Sequence, residues 1–533
     1  MLGVEQGSWI TAGLVGVVLV LVYRAYFKSN RDFWKSRGIK FVQHKSFFST
    51  IYQFLKKPIH EIEVERYVKY GKIYGHFEGS KPFLSVANPA LLRDVLVKDF
   101  PTFPSRRVFS TGDATADSIL IVMKGGEDWK RIRSIVTPTF STGKIRRMLS
   151  ILKDSSKTVV ENFKKSSKNG ETIDAKRMFG AFTMDVIAST AFSTKIDSHN
   201  DPDNPFVAAA KDVFNVKVNW RVILLLLCPK LVQYFKIPVL FPHAISFFRK
   251  VTFQIMEERK RTGQTRNDFL QLLIDTAKEV EEDQKLDHQD NGDIASNYNV
   301  QDDINPQIFK NVTSKNLSME ELVAQCVTFF IAGYDTTATT LGLASYELAL
   351  NPSVQDAARR EVDDTLKETG GELTYEAVQN MKYLDNVISE TLRKYPPVVR
   401  LERTCETAYE LGDTGLTLPK EVAVTIPVWA MHRDPEIFPN PETFDPERFS
   451  PEQRAKRDAF TYMPFGLGPR SCVAMRFALV EMKVCLAHVL AHFIIKTCPD
   501  TKIPLDFNSG QGTLQPIGNI LKMELRENPT MIH

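Results

Sequence analysis

The amino-acid sequence predicts a mainly α fold with small β-sheets: one large domain over residues 46–533, preceded by an N-terminal transmembrane helix. Three observations carry this. A capping box, Ser318-Met-Glu-Glu321, opens an apolar run that stays helical in pattern as far as Leu350, before Asn351-Pro352. Helical periodicity recurs elsewhere, over Lys144–Lys168 and Met178–Phe192 and from Val354 to a stop at Gly370-Gly371. Strand-like alternation occurs only in short pieces, such as Val422–Ile426 after Pro419.

The membrane helix rests on the run from Trp9 to Tyr23, which has no charged residue and extends to Phe27 interrupted only by Arg24. A span needs about 20 apolar residues. Arg24, Lys28, Arg31, Lys35, Arg37, Lys40 and Lys45 follow the run, whereas only Glu5 precedes it. Positive charge stays in the cytosol, so the expected topology puts the N-terminus in the lumen and the rest in the cytosol. Residues 1–45 are read as anchor and basic linker. The basic n-region and small-residue cleavage site of a signal peptide are missing.

The remaining composition is that of a globular chain: 43% of the 533 residues are hydrophobic and 25% charged. The net charge of +4, from 68 basic and 64 acidic residues, is too slight to argue nucleic-acid binding. Six cysteines without a C-x-x-C read as reduced thiols. Two stretches stand apart. Residues 222–248 are apolar but broken by Pro229, Pro238 and Pro242, which forbids a second span and leaves core burial or contact with the bilayer surface. Residues 279–303 are strongly acidic and read as a solvated linker within the domain.

The chemistry-bearing motifs lie toward the C-terminus. In residues 464–483, PFGLGPRSCVAMRFALVEMK, a loop with two glycines delivers Cys472 to the start of a helical pattern. A thiolate there is stabilised by the helix dipole and by free backbone N–H groups. Glu390 and Arg393 are spaced i, i+3 on one helix face, and Pro446-Glu-Arg448-Phe449 follows. Trp129 and Arg133 are spaced i, i+4. Ala332-Gly333-Tyr-Asp335-Thr336-Thr337 sets an acid and a hydroxyl midway along the long apolar helix, where they are poorly suited to packing.

Together, and in this order, these motifs resemble the cytochromes P450 over roughly residues 50–525. The branch most resembled is the microsomal one of the mammalian liver drug-metabolising enzymes, thromboxane synthase and nematode and insect relatives. The resemblance implies haem b ligated by the Cys472 thiolate, with Phe465 and Arg470 in the haem loop. It implies haem propionates met by Arg106, Trp129, Arg133, Arg403 and Arg470, and a structural triad of Glu390, Arg393 and Arg448. It implies a groove in which Gly333 makes room for dioxygen, Thr336 donates to the reduced oxygen and Asp335 helps relay protons. It further implies a monooxygenase of the endoplasmic reticulum membrane that acts on lipophilic small molecules. Electrons would come from NADPH through NADPH–cytochrome P450 reductase, with cytochrome b5 as a second donor; Lys130, Lys144, Arg146 and Arg147 are candidate docking residues. A haem-thiolate isomerase acting on a peroxide and a non-catalytic haem protein are the alternatives, and the Asp335-Thr336 pair speaks against the isomerase. Substrate choice is expected in residues 103–125, 205–250, 396–400 and 509–515. Two positions depart from the family pattern: Ala474 stands where the family has glycine, and Gly38-Ile-Lys-Phe-Val replaces a proline-rich hinge.

Overall fold

The computed structural model describes residues 32–43, 52–53, 55–78, 81–107, 113–201, 203–214, 221, 224, 229–237, 242–266, 268–278, 316–510 and 512–533. The predicted anchor, the acidic stretch 279–303 and most of 222–228 lie outside them. Among the described residues no helix is long and apolar enough to cross a membrane.

The principal elements in chain order are α1 (Ile59–Tyr70), β1 (Ile73–Glu78), β2 (Lys81–Val86), α2 (Glu127–Val136), α3 (Thr142–Lys168), β3 (Ile173–Asp174) and α4 (Ala175–Phe192). They continue with α5 (Pro205–Phe214), α6 (Pro242–Thr262), α7 (Phe269–Lys278), α8 (Met319–Leu350), α9 (Pro352–Glu368), α10 (Lys382–Lys394), β4 (Leu401–Thr404) and β5 (Ala423–Ile426). Last come α11 (Met475–His492), β6 (Phe493–Lys496), β7 (Asp506–Phe507), β8 (Pro516–Ile517) and β9 (Ile520–Leu525). The mainly helical expectation with small sheets holds. β1, β2, β5 and β4 form a four-stranded sheet in which β2 and β5 run parallel and the other pairs antiparallel. A three-stranded sheet has the order β3-β9-β6, and β7 pairs with β8.

The 32-residue α8 is the axis of the molecule. Its start is local chemistry: the Glu321 N–H donates to Ser318 Oγ at 3.2 Å, and the Ser318 N–H donates to Glu321 Oε2 at 2.8 Å. At its end Asn351 Nδ2 donates to the Glu347 carbonyl at 2.8 Å, and Pro352 opens α9, where its missing N–H costs nothing. A helix apolar on nearly every side belongs in a core. The neighbour α4 packs against it through small residues. A Cβ on Gly180 would stand 3.2 Å from Tyr334 Oη, and one on Gly333 would stand 3.0 Å from Ile187 Cδ1. Gly333 therefore lets α4 and α8 approach.

Two apolar segments sort differently. In α6, Ala244, Ile245 and Phe248 are buried, with Phe248 against Phe330 of α8 at 4.4 Å between ring centroids. Leu231, Tyr234, Phe235 and Phe253 are exposed. So the described part of 222–248 supplies both core and surface.

Of the residues read as a linker, Trp34 and Phe41 are already part of the packed body. The Trp34 indole is fully buried between Phe33 and Phe77, its Nε1–H donates to the His76 carbonyl at 3.3 Å, and Phe41 bridges to Gly75. Gly75 is required there, since a Cβ would lie 2.5 Å from the indole ring. Trp34→Ala is expected to cost about 3–5 kcal/mol, as for other large core truncations. The urea unfolding midpoint of the purified protein measures this; a midpoint equal to wild type would contradict the packing described.

Candidate active site

The loop before α11 folds back on itself so that Cys472 faces inward. The Gly466 N–H donates to the Met463 carbonyl at 3.0 Å, the Ser471 N–H to Gly468 at 2.9 Å, and the Cys472 N–H to Phe465 at 2.9 Å. Gly466 and Gly468 have φ of +70° and +73°, the left-handed region that disfavours side chains. At Gly468 a Cβ would also lie 2.1 Å from the Leu96 carbonyl oxygen. Ala474 is different. Its φ and ψ are −97° and 17°, which any residue adopts, so the methyl in place of the family glycine brings no backbone strain.

The Cys472 thiol is accessible to a small probe although it lies deep in the fold, as a group lining an internal space would be. Enclosure pushes its pKa up; the Ala474 N–H, Arg133 and Arg106 pull the other way.

Beside it stands a cluster of cations. Trp129 and Arg133 come from α2, Arg403 from β4, and Arg106 and Arg470 from loops. Trp129, Arg133, Arg403 and Arg470 are buried, and the Arg470 guanidinium covers the Trp129 ring at 4.2 Å. Arg470 donates to the carbonyls of Pro104 at 2.8 Å and Met123 at 2.9 Å, and Arg106 donates to those of Ile121 at 3.2 Å and Arg470 at 2.8 Å. Arg403 reaches only the Glu402 carbonyl, at 2.8 Å, and its buried Nε has no partner. None of the four is hydrogen-bonded to a carboxylate among the described residues. Burial, then mutual repulsion, drives Arg470 down to about 8 and Arg403 to about 9, and burial takes Arg133 to about 10. Guanidinium is rarely displaced so far. A dianion in this space would satisfy the unused donors and offset the repulsion, so the residues fit the two propionates of haem.

Midway along α8, Thr336 Oγ1 donates to the Ala332 carbonyl at 2.6 Å. Its lone pairs remain open to an incoming donor. The Asp335 carboxylate is gripped by Lys176 of α4 and by Gln515. Lys176 and Gln515 were not legible as site residues, because they lie 159 and 180 positions from Asp335.

The structural triad is assembled. Arg393 donates through Nε to Glu390 Oε2 at 2.7 Å and through Nη2 to Oε1 at 2.9 Å, with neither side chain exposed. Arg448 Nε stands 3.4 Å from Glu390 Oε1 without hydrogen-bond alignment, while its Nη2 donates to the Asn440 carbonyl at 3.0 Å. The sequence reading missed a fourth member, His432. The Arg393 Nη1 donates to the His432 carbonyl at 2.9 Å, the Met463 N–H lies 3.1 Å from His432 Nε2, and His432 Nδ1 lies 3.2 Å from the Arg393 carbonyl. Nε2 must accept from Met463, so the network assigns the proton to Nδ1. The imidazole thus links Arg393 to the residue that begins the cysteine loop.

Of the candidate docking cations, Lys130 pairs with Glu127 at 2.8 Å and Arg146 with Glu376 at 2.7 Å. Arg147 is exposed and Lys144 half-buried.

A helical core with an inward cysteine loop and an anion-poor arginine cluster defines a haem-thiolate class of protein. The cytochrome P450 family matches residues 41–298 and 297–523. Cytochrome P450 3A29 of Sus scrofa is 36% identical over 520 residues, covering 96% of this chain and 95% of the relative. Cytochrome P450 3A12 of Canis lupus familiaris is 36% identical over 527 residues (98% and 97%), and cytochrome P450 3A41 of Mus musculus 35% identical over 515 (96% and 94%). The chain belongs to the cytochrome P450 family, in its microsomal branch, and is a haem-thiolate monooxygenase.

His432 gives the triad a pH signature. Burial, then the nearby Arg393 charge, holds its pKa well below the ordinary 6.5. The unfolded chain therefore binds the extra proton first. Stability is complete above pH 6.5 and falls as pH drops below it, by up to about 1.4 kcal/mol per unit for this residue. His432→Gln is expected to make the decline between pH 6.5 and 5 shallower, read from urea midpoints at each pH. Equal slopes for variant and wild type would show that His432 is not held neutral.

Proposed function

We propose that the Cys472 thiolate would hold the iron of haem b and that Trp129, Arg133, Arg403 and Arg106 would meet its propionates, with Arg470 holding the loops around them. Phe465 closes the cysteine loop by accepting the Cys472 N–H. The observation that carries this reading is the accessible thiol beside four guanidiniums that hydrogen-bond to no carboxylate among the described residues. The haem, when bound, would supply reductive cleavage of dioxygen: RH + O2 + NADPH + H+ → ROH + H2O + NADP+.

The chain's own residues orient substrate, exclude water and bring protons. Thr336 accepts a hydrogen bond from a proton donor while its own O–H donates to the Ala332 carbonyl. Asp335, tied to Lys176, passes protons inward from a lysine that is one-fifth exposed. Gly333 keeps α8 close to α4 at this level, which leaves the Asp335-Thr336 turn facing the space for dioxygen. Glu390, Arg393 and Arg448 hold the segment that presents the cysteine loop.

The substrate is a lipophilic small molecule. NADPH–cytochrome P450 reductase supplies electrons and cytochrome b5 is a second donor, both acidic partners for the face bearing Lys144 and Arg147. The apolar run at Trp9–Phe27 supports an endoplasmic reticulum anchor with the domain in the cytosol, and exposed Leu231, Tyr234 and Phe235 support a second contact with the bilayer surface.

Two variants test this reading. Cys472→Ser should abolish the thiolate-type absorption of the ferrous–CO complex, because a serine oxygen is a poor soft donor. A retained thiolate spectrum would assign the ligand to another cysteine. Thr336→Ala should keep that spectrum but lower product per NADPH; loss of a positioned proton donor is typically worth about 100-fold. The missing electrons should appear as peroxide: O2 + NADPH + H+ → H2O2 + NADP+. An unchanged product-to-NADPH ratio would contradict the proton role.

A further inference from the structure

Asp335 is held from two ends of the chain. Lys176 Nζ donates to its Oδ1 at 2.5 Å and to its backbone carbonyl at 3.2 Å, and also reaches Thr339 Oγ1. Gln515 Nε2 donates to Oδ2 at 2.6 Å, and Thr513 Oγ1 donates to the same oxygen at 3.2 Å. The carboxylate is almost fully buried.

The residues between these two grips matter as much. Leu514 is buried, and its N–H donates to the Pro397 carbonyl at 2.9 Å; the Gln515 carbonyl accepts from the Asn508 N–H at 2.9 Å. The loop 508–515 is thus pinned on one side to the 396–400 segment and on the other to Asp335. Both segments are ones to which the sequence assigns substrate contact.

We propose that Gln515 is a positioning residue for proton delivery, joining the substrate-contact loop to the Asp335 carboxylate so that displacement of the loop by substrate changes how Asp335 hands protons on. The inference rests on the reading of Asp335 and Thr336 as a proton relay. Relative bond strengths decide which grip yields. The three donors hold the carboxylate in one place, so losing one lets it leave the position from which it hands protons on. The ammonium of Lys176 adds full charge in a buried place, whereas Gln515 is a neutral donor. Both bonds are charge-assisted, but Lys176 adds an opposite full charge at close range, which Gln515 does not. The loop is the grip that yields first, and the Gln515 amide is the part that responds to substrate. Coupling of this kind is reciprocal, so Asp335 must also steady the loop.

The experiment uses the full-length enzyme with reductase and a fluorogenic benzyloxycoumarin as probe substrate. Gln515→Leu should lower product per NADPH about 5-fold, the small end of site-to-site coupling, with KM little changed. The deficit should vanish when an iodosylarene supplies the oxygen atom, since that donor needs no protons.

A second readout is independent of turnover. In Asp335→Ala the Leu514 amide should exchange with solvent about 10-fold faster than in wild type, as loss of a charge-assisted tether implies. Unchanged coupling in Gln515→Leu, a deficit that the iodosylarene does not bypass, or an unchanged Leu514 amide would each overturn the proposal. Asp335→Asn separates the levels. If it leaves coupling intact, the proton relay itself fails; if it uncouples while Gln515→Leu does not, only the role of Gln515 fails.

Discussion

Four guanidiniums gathered beside the Cys472 thiol, none hydrogen-bonded to a carboxylate among the described residues, are the constraint on which the rest of this structure depends. Burying a charge without a partner is expensive. Arg106, Arg133, Arg403 and Arg470 are nevertheless brought together from α2, β4 and two loops. Their hydrogen bonds go to backbone carbonyls, which fix the 104–123 segment against the cysteine loop but neutralise nothing. A dianionic group beside a thiolate resolves the imbalance. The folded state is accordingly one that its cofactor stabilises by mass action.

The scaffold transmits that constraint to both faces of the site. On the cysteine side, Arg393 spends its donors on Glu390 and on the carbonyls of His432 and Pro441, and His432 passes the order to Met463. Two glycines in the left-handed region then carry the chain round to Cys472. On the other side, α8 crosses the core against α4 at glycine contacts and sets Asp335 within reach of Lys176. Each face combines a rigid helix with one polar network that crosses between elements. This is how a site gains precision without depending on loop geometry alone.

What the sequence made legible follows from distance along the chain. The capping box at Ser318 and the stop at Asn351 are local chemistry, and α8 begins and ends where they dictate. The i, i+3 spacing of Glu390 and Arg393 placed the ion pair correctly for the same reason. His432, Lys176 and Gln515 could not be read, because each acts on a residue brought near only by folding: His432 lies 31 positions from Met463, and Gln515 lies 180 from Asp335. Gly333 shows a subtler limit. Its position in an apolar helix signalled a need for space, but the direction of that space, toward Ile187, depends on the packing of α4. Trp34 was hidden for a different reason: the basic residues around it look like a linker, while its partner Gly75 lies on β1.

The most direct test of the central claim removes the charge from the cofactor and leaves the protein unchanged. Haem and its dimethyl ester, in which both propionates are neutral, can be titrated into the haem-free chain and followed by the haem absorption band. If the arginine cluster exists to meet two carboxylates, the ester should bind about 100-fold more weakly or less, the loss of one or two charge-assisted hydrogen bonds. Equal affinity for haem and its ester would contradict the account, and would mean that the four guanidiniums are balanced by something other than the propionates.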